Sequence, residues 1–196
     1  MKRIRAWVLL LLLALTLMGC TRDEGAVNTI WPHEFAEETQ DVLRLFGDDL
    51  VFFDYAVDNT INYAAIRAWF YRDGEWKANV ISHGEADDRR ECMAVYVRED
   101  GYDLFRDIDA DGFVRSGYSG VDTDFSKADG GIMTTRLSNA TPIQEGEEIT
   151  LFARLGYERE SDQASVVMES PMDFRRADCV AGMAITITFS SDVAGE

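Results

Sequence analysis

Short segments in which apolar and polar residues alternate, separated by turn residues, make up most of the chain after residue 49. Such segments are typical of β-strands, and the Asp-Gly pairs that follow several of them favour tight hairpin turns. The predicted strands are 50–57, 62–72, 75–82, 92–98, 102–108, 113–118, 132–137, 148–157, 164–169 and 180–189.

This pattern, with one helix near the N-terminus, predicts an antiparallel β-sandwich-like domain. A partly open β-barrel is the alternative. The chain shows no internal repeat and no second zone of composition, so we expect a single domain. In the strand 148–157 the residues expected to share one face are Ile149, Leu151, Ala153, Leu155 and Tyr157.

The segment around Asp73-Gly74 predicts a hairpin in detail. Asp-Gly accepts the positive φ angles of a two-residue turn, which pairs Arg72 with Glu75. One face of this hairpin is then rich in aromatic residues: Trp69, Tyr71, Trp76, Ala78 and Val80. A sugar-binding surface is one interpretation of such a face. We favour a place in the core, because Ala78 and Val80 continue the face with plain apolar side chains.

Residues 32–46 are predicted to form the helix of the domain. Pro32 suits a first helical turn, and Gly47 suits the left-handed conformation that ends many helices. The apolar face expected to pack on a sheet is formed by Phe35, Thr39, Val42, Leu43 and Phe46. His33 is expected to be a surface residue in the first turn.

The N-terminus has the layout of an export signal, with three basic residues followed by the apolar run 6–18 and then Leu17-Met18-Gly19-Cys20. The thirteen apolar residues are fewer than the roughly 20 that a spanning helix needs. The residues at the end of the run resemble the lipobox of bacterial lipoproteins. An ordinary secretory signal, with Cys20 an incidental thiol, is the alternative.

The lipobox resemblance implies that residues 1–19 are removed and that Cys20 carries a diacylglyceryl thioether. Its amine usually carries a further acyl chain such as palmitate. More than one acyl chain gives stable anchoring in a membrane. We therefore expect a tether over 20–30 and a single β-rich domain over 31–196. The expected location is the extracytoplasmic face of the cell membrane, or the outer membrane if the source is Gram-negative.

The chain is strongly acidic, with a formal net charge of −17. Removal of the leader would take away three positive charges and no negative ones, which leaves −20. Such a domain is repelled by phosphate backbones at distances within the screening length of about 8 Å. Nucleic acid is therefore not expected as a partner.

Two cysteines remain if Cys20 is lipidated, and two histidines complete the set of soft metal ligands in the domain. Cys92 and Cys179 form an even pair in a compartment that permits disulfides, so they are either bridged or present as two buried thiols. The spacing of these cysteines with His33 and His83 does not match a zinc motif. No zinc site is predicted.

The segment Asp107-Ile108-Asp109-Ala110-Asp111-Gly112-Phe113-Val114 resembles the start of an EF-hand calcium loop. The match fails later, since Arg115 stands at the ninth position and Tyr118 at the twelfth, where a bidentate Glu is required. Asp122 or Asp124 are the residues that we consider as replacements. A plain hairpin turn with solvated acids is the alternative, and calcium is the one cofactor that the sequence suggests.

Catalytic motifs are missing from the sequence: Gly117-Tyr118-Ser119-Gly120 has the wrong spacing for a nucleophile elbow, and no H-E-x-x-H or phosphate-binding loop is present. No catalytic residue is therefore assigned. The expected function is a membrane-anchored binding or interaction module of unknown ligand. The alternatives are an extracytoplasmic hydrolase that uses a carboxylate pair and a structural partner of an envelope complex.

Overall fold

The computed structural model describes residues 27–47, 49–86, 90–98, 101–108, 111–119, 124–159 and 171–192. Several predicted features lie outside these residues: the leader 1–19, the lipidation site Cys20, Asp109, Asp122 and the strand 164–169.

The described residues form eleven strands and one short α-helix. In chain order the elements are β1 (Thr29–Pro32), α1 (Glu37–Leu43), β2 (Leu50–Ala56), β3 (Tyr63–Arg72), β4 (Glu75–Glu85), β5 (Arg90–Arg98), β6 (Gly101–Arg106), β7 (Val114–Ser119), β8 (Gly131–Arg136), β9 (Thr141–Pro142), β10 (Glu148–Tyr157) and β11 (Ala181–Ser190). Short 3-10 turns are found at Arg44–Phe46, Phe125–Lys127 and Pro171–Arg176.

The strands form two separate antiparallel sheets. Sheet A has the strand order β7-β6-β5-β2-β1-β9, and sheet B has the order β4-β3-β11-β10-β8. The described strands therefore form a β-sandwich-like fold, as predicted, and they do not close into the alternative barrel.

The hairpin between β3 and β4 has the predicted register. Arg72 pairs with Glu75 and Tyr71 with Trp76, and the turn residues Asp73 and Gly74 have φ angles of 54° and 83°. Two successive positive φ angles match the right-handed twist of the strands that the turn connects.

The main core lies between the sheets and follows from the alternation within each strand. From sheet A, Val51, Phe53 and Tyr55 point inward, and from sheet B they meet residues such as Ile187 and Phe189. The rings of Tyr55 and Phe189 contact each other edge to face at 5.0 Å.

A buried ionic network links the two sheets. Glu91 of β5 is 6% exposed and accepts two hydrogen bonds of 2.9 Å from Arg106 of β6 and one from the Tyr55 hydroxyl. Arg106 also donates to Ser82 of β4 over 3.2 Å. Burial and the adjacent Glu91 carboxylate raise the pKa of Tyr55 well above its usual value, so this hydroxyl remains a donor.

Two expectations about the N-terminal part of the domain are wrong. Pro32 ends a strand instead of starting a helix, and α1 begins only at Glu37. Ile30, assigned to the tether, is fully buried and pairs with Tyr55. Proline has no N–H to donate and is tolerated at the end of a strand, so the chain enters sheet A before the helical segment begins.

The predicted apolar face of the helix is also not buried. No residue of α1 falls in the buried class, and Val42 is 58% exposed. In the 3-10 turn that follows, Leu45 and Phe46 are 84% and 44% exposed. The helical segment 33–47 therefore covers sheet A loosely.

Candidate functional site

Three neighbouring strands bring His33, Asp54 and Cys92 together on the outer face of sheet A. Asp54 of β2 lies directly opposite Cys92 of β5, and on its other side it pairs with Trp31 of β1. His33 follows β1, and its backbone N–H donates to the Phe52 carbonyl over 3.0 Å. The positions of all three side chains are therefore set by strand pairing.

The side chains converge closely, and we call them the His33–Asp54–Cys92 cluster. His33 Nδ1 lies 2.8 Å from Asp54 Oδ2 and 3.7 Å from Cys92 Sγ. One ligand atom from each residue lies within 4.8 Å of the other two. The side chain of His33 is 29% exposed and that of Asp54 is 13% exposed.

The cluster is not arranged as a nucleophilic cysteine site. A catalytic triad uses both ring nitrogens of the histidine, whereas Asp54 and Cys92 both approach Nδ1 of His33. Burial raises the pKa of the Cys92 thiol to about 12, with further contributions from the carboxylates of Asp54 and Glu91. A reactive cysteine requires a lowered pKa, so this thiol is not activated.

His33 also lines a pocket of about 530 Å³. We call it the α1 pocket, since it lies between the helical segment, β2 and residues 136–138 at the end of β8. On one side of the pocket the rings of Phe35 and Phe52 contact each other edge to face, with their centroids 4.8 Å apart. The lining also includes the apolar side chains of Leu43, Leu50 and Leu137. Its polar side chains include Gln40, Arg44, Arg136 and Ser138.

Two arginines line the α1 pocket in an otherwise acidic chain. Arg44 and Arg136 line it, and the described lining residues include no Asp or Glu. Arg44 is bound to Asp41 over 2.6 Å, but both side chains are more than 60% exposed, so this ion pair contributes little stability. The pocket therefore combines apolar walls with guanidinium groups.

The cysteine pair is not bridged in the structure. Cys92 and Cys179 are both free thiols. Cys179 is 3% exposed and belongs to a small apolar cluster on the outer face of sheet B, opposite to the face that carries Cys92. Packed sheets lie about 10 Å apart, whereas a disulfide requires Cα atoms within about 7 Å.

The acidic residues of the predicted calcium loop do not converge among the described residues. Asp107 and Asp111 lie in the connection between β6 and β7, where Arg106 pairs with Val114. Asp124 caps the 3-10 turn Phe125–Lys127 by accepting from the Ser126 N–H over 2.9 Å, and that turn contacts sheet B. The calcium site stays a prediction, since Asp109 and Asp122 are not described.

The aromatic face of the β3–β4 hairpin is covered by the segment that precedes β11. Phe174 is fully buried, and its ring centroid lies 4.8 Å from Trp76 and 6.1 Å from Trp69. The Arg175 guanidinium lies 3.9 Å from the centre of the Trp69 ring. Trp69, Tyr71 and Trp76 are partly buried and pack against this small cluster, whereas Ala78 and Val80, on which the core interpretation depended, are exposed.

Comparisons with protein-family models, curated proteins and solved structures find no match for this chain. No helix in the described part of the chain is both long enough and apolar enough to span a membrane.

Proposed function

We propose that the protein is a lipid-anchored extracytoplasmic binding module, and that its α1 pocket holds a small amphipathic molecule with an acidic group. The observation that carries this proposal is the pocket itself. Its volume of about 530 Å³ is within the range of about 300–1,000 Å³ typical of small-molecule sites. Its apolar walls and few polar groups match the usual composition of such sites.

The lining residues indicate how such a molecule binds. Its apolar body packs against Phe35 and Phe52, and its acidic group lies near Arg44 or Arg136. Guanidinium groups bind carboxylates and phosphates through two parallel hydrogen bonds, and such charge-assisted bonds are stronger than neutral ones. The absence of Asp and Glu from the described lining residues favours this binding role over hydrolysis by a carboxylate pair at the same place.

The anchor is proposed from the sequence around Cys20. The export layout and the lipobox resemblance support a thioether lipid at this position. The first described strand begins at Thr29, so the residues between Cys20 and that strand reach at most about 32 Å when fully extended. A domain held this close to a bilayer is suited to taking up molecules at the envelope surface.

A fluorescence titration tests the pocket. The probe is 1-anilinonaphthalene-8-sulfonate, an aromatic anion, and the protein is the full chain carrying Cys20→Ser. Reversing the charge at Arg136 (Arg136→Glu) is expected to weaken binding about tenfold or more, because a hydrogen bond to a charged group contributes about 1.5–3 kcal/mol. The matched control is Arg159→Glu, an exposed arginine outside the pocket, which should leave the affinity unchanged. Equal affinities for the two variants would contradict the proposal.

A labelling experiment tests the anchor separately. Bacteria that express the full chain are grown with radiolabelled palmitate, and the protein is recovered from membranes. We expect label in the unmodified chain and none in Cys20→Ser, which should also be extracted from membranes by alkaline carbonate. Label that persists in Cys20→Ser, or a Cys20→Ser chain that stays embedded, would refute the lipid anchor without affecting the proposal for the pocket.

A further inference from the structure

We propose that the His33–Asp54–Cys92 cluster is a binding site for a divalent transition metal of the zinc class. The proposal goes beyond small-molecule binding and does not depend on it, because it rests on a separate set of side chains. One imidazole, one carboxylate and one thiol form this set, and all three are established zinc ligands.

The distances in the cluster are close to those of a metal site. Zinc binds nitrogen and oxygen at about 2.0–2.2 Å and sulfur at about 2.3 Å, which places tetrahedral ligand atoms roughly 3.3–3.6 Å apart. His33 Nδ1 is 3.7 Å from Cys92 Sγ and 2.8 Å from Asp54 Oδ2. The His33–Asp54 distance is shorter than in a tetrahedral site, so side-chain rotation must separate these two atoms when a metal binds.

The backbone holds the three ligands in a fixed relation. Asp54 and Cys92 are directly paired on adjacent strands, and His33 is tied to β2 by its backbone hydrogen bond to Phe52. A site on paired strands requires little reorganisation when the metal binds. Because Asp54 and Cys92 lie on paired strands, their positions are fixed more firmly than those of acidic groups that lie together on surface loops.

The ligand types select the metal. A thiolate favours zinc and related ions over calcium and magnesium, which prefer oxygen ligands alone. Loss of the thiol proton on binding gives two negative charges, from Asp54 and Cys92, which balance a divalent cation. His33 stays neutral as a ligand.

Three protein ligands leave one coordination position open, as in catalytic zinc sites. His33 belongs both to the cluster and to the lining of the α1 pocket. A metal bound to His33 therefore lies beside the pocket, where its open position would accept water or the acidic group of a bound molecule.

The competing explanation is a hydrogen-bonded cluster that binds no metal, with Asp54 accepting from both His33 and Cys92. Cobalt(II) distinguishes the two, since a thiolate bound to cobalt gives a charge-transfer absorption in the near ultraviolet that an N/O site lacks. The test uses the full chain carrying Cys20→Ser, so that Cys92 and Cys179 are the remaining thiols. We expect cobalt to bind in a one-to-one ratio with this absorption, and zinc to displace it.

The chain offers a matched control for each soft ligand. Cys92→Ser and His33→Ala should lose the charge-transfer band and weaken binding more than about tenfold, since even outer-shell changes cost 10–100-fold. Cys179→Ser and His83→Ala should keep both; His83 is exposed and stacks on Tyr63. A chain without the band, a band that survives Cys92→Ser, or a band lost in Cys179→Ser would overturn the proposal.

A second measurement needs no substitution at the cluster and decides the matter if Cys92→Ser does not fold. Zinc-edge X-ray absorption of the zinc-loaded Cys20→Ser chain should show one sulfur at about 2.3 Å together with nitrogen or oxygen ligands. A shell of nitrogen and oxygen alone would refute the site. Binding of the fluorescent anion in the presence of a chelator reports on the α1 pocket independently, so failure of one proposal is distinguishable from failure of the other.

Discussion

The outer faces of the two sheets are both covered by a segment of chain, but in different ways. On sheet B, Phe174 is fully buried among aromatic rings, and Arg175 lies over Trp69 and binds Glu148. On sheet A, the cover is the helical segment 33–47. No residue of α1 is buried, and the segment leaves a pocket of about 530 Å³. The first cover is packed like a core, whereas the second leaves space and polar groups.

We propose that this difference separates a surface that stabilises the fold from a surface that binds ligands. Close packing of apolar rings contributes stability, because each fully buried aromatic side chain removes a large apolar area from water. The helical segment over sheet A gives up that stability, since it leaves a pocket lined by Arg44 and Arg136 beside the His33–Asp54–Cys92 cluster. We therefore propose that ligands bind at the α1 pocket and the adjoining cluster, and that the cover of sheet B stabilises the fold.

The largest expected effect is on the cover of sheet B. Replacing the buried ring at Phe174 by alanine should lower the free energy of unfolding by about 3–5 kcal/mol, the usual cost of truncating a buried aromatic residue. Urea denaturation followed by tryptophan fluorescence measures it. The matched control is Phe46→Ala on the other cover, where the ring is 44% exposed and the expected loss is below about 1 kcal/mol. Equal losses for the two variants would remove the distinction between the faces.

A smaller, pH-dependent effect is expected at Glu148, which joins β10 to the cover of sheet B. Burial alone would raise the pKa of this carboxyl, but hydrogen bonds from Thr186, Arg175 and Trp69 outweigh burial and hold it below its ordinary value of 4.5. The ionised group therefore stabilises the fold above that pH, and the contribution is lost as pH falls below it.

The test compares the unmodified chain with Glu148→Gln by urea denaturation between about pH 7 and pH 3. At neutral pH the variant should be less stable by about 1.5–3 kcal/mol, because it loses hydrogen bonds to a charged acceptor. The difference should shrink as pH falls below 4.5, because the carboxyl takes up its proton in the unfolded chain before it does so in the native fold. A difference that is constant with pH would show that Glu148 does not contribute through its charge.

The smallest effect is expected on the cover of sheet A. Leu45 is 84% exposed, so Leu45→Ala should change the free energy of unfolding by less than about 0.5 kcal/mol. Differential scanning calorimetry of the variant and the unmodified chain provides the measurement. A loss above about 2 kcal/mol would mean that the Leu45 side chain contributes to packing in spite of its exposure.

Local chemistry made much of the fold predictable from the sequence. Asp73-Gly74 determines a turn, the turn determines the register of β3 and β4, and alternation marks most other strands.

The prediction failed where a local irregularity decides the outcome. A register shift between Thr150 and Phe152 places Phe152 in the main core and Ala153, Leu155 and Tyr157 on the outer face of sheet B, instead of keeping one face along β10.

The candidate site was beyond the reach of sequence reasoning for a different reason. His33 is separated by 21 residues from Asp54 and by 59 from Cys92, so no local spacing connects them. They meet only through the pairing of β1 with β2 and β2 with β5, and β1 is a four-residue strand ending in proline. The one available signal is Asp54, the single charged residue of the otherwise apolar β2.

Backbone NMR tests the central claim, that ligands bind in the α1 pocket, most directly. Amide chemical shifts of the isotopically labelled Cys20→Ser chain are recorded as 1-anilinonaphthalene-8-sulfonate is added. We predict that the changes concentrate at residues 32–53 and 136–138, around the α1 pocket. Changes concentrated instead at 69–76 and 174–180, on the covered face of sheet B, would contradict the account.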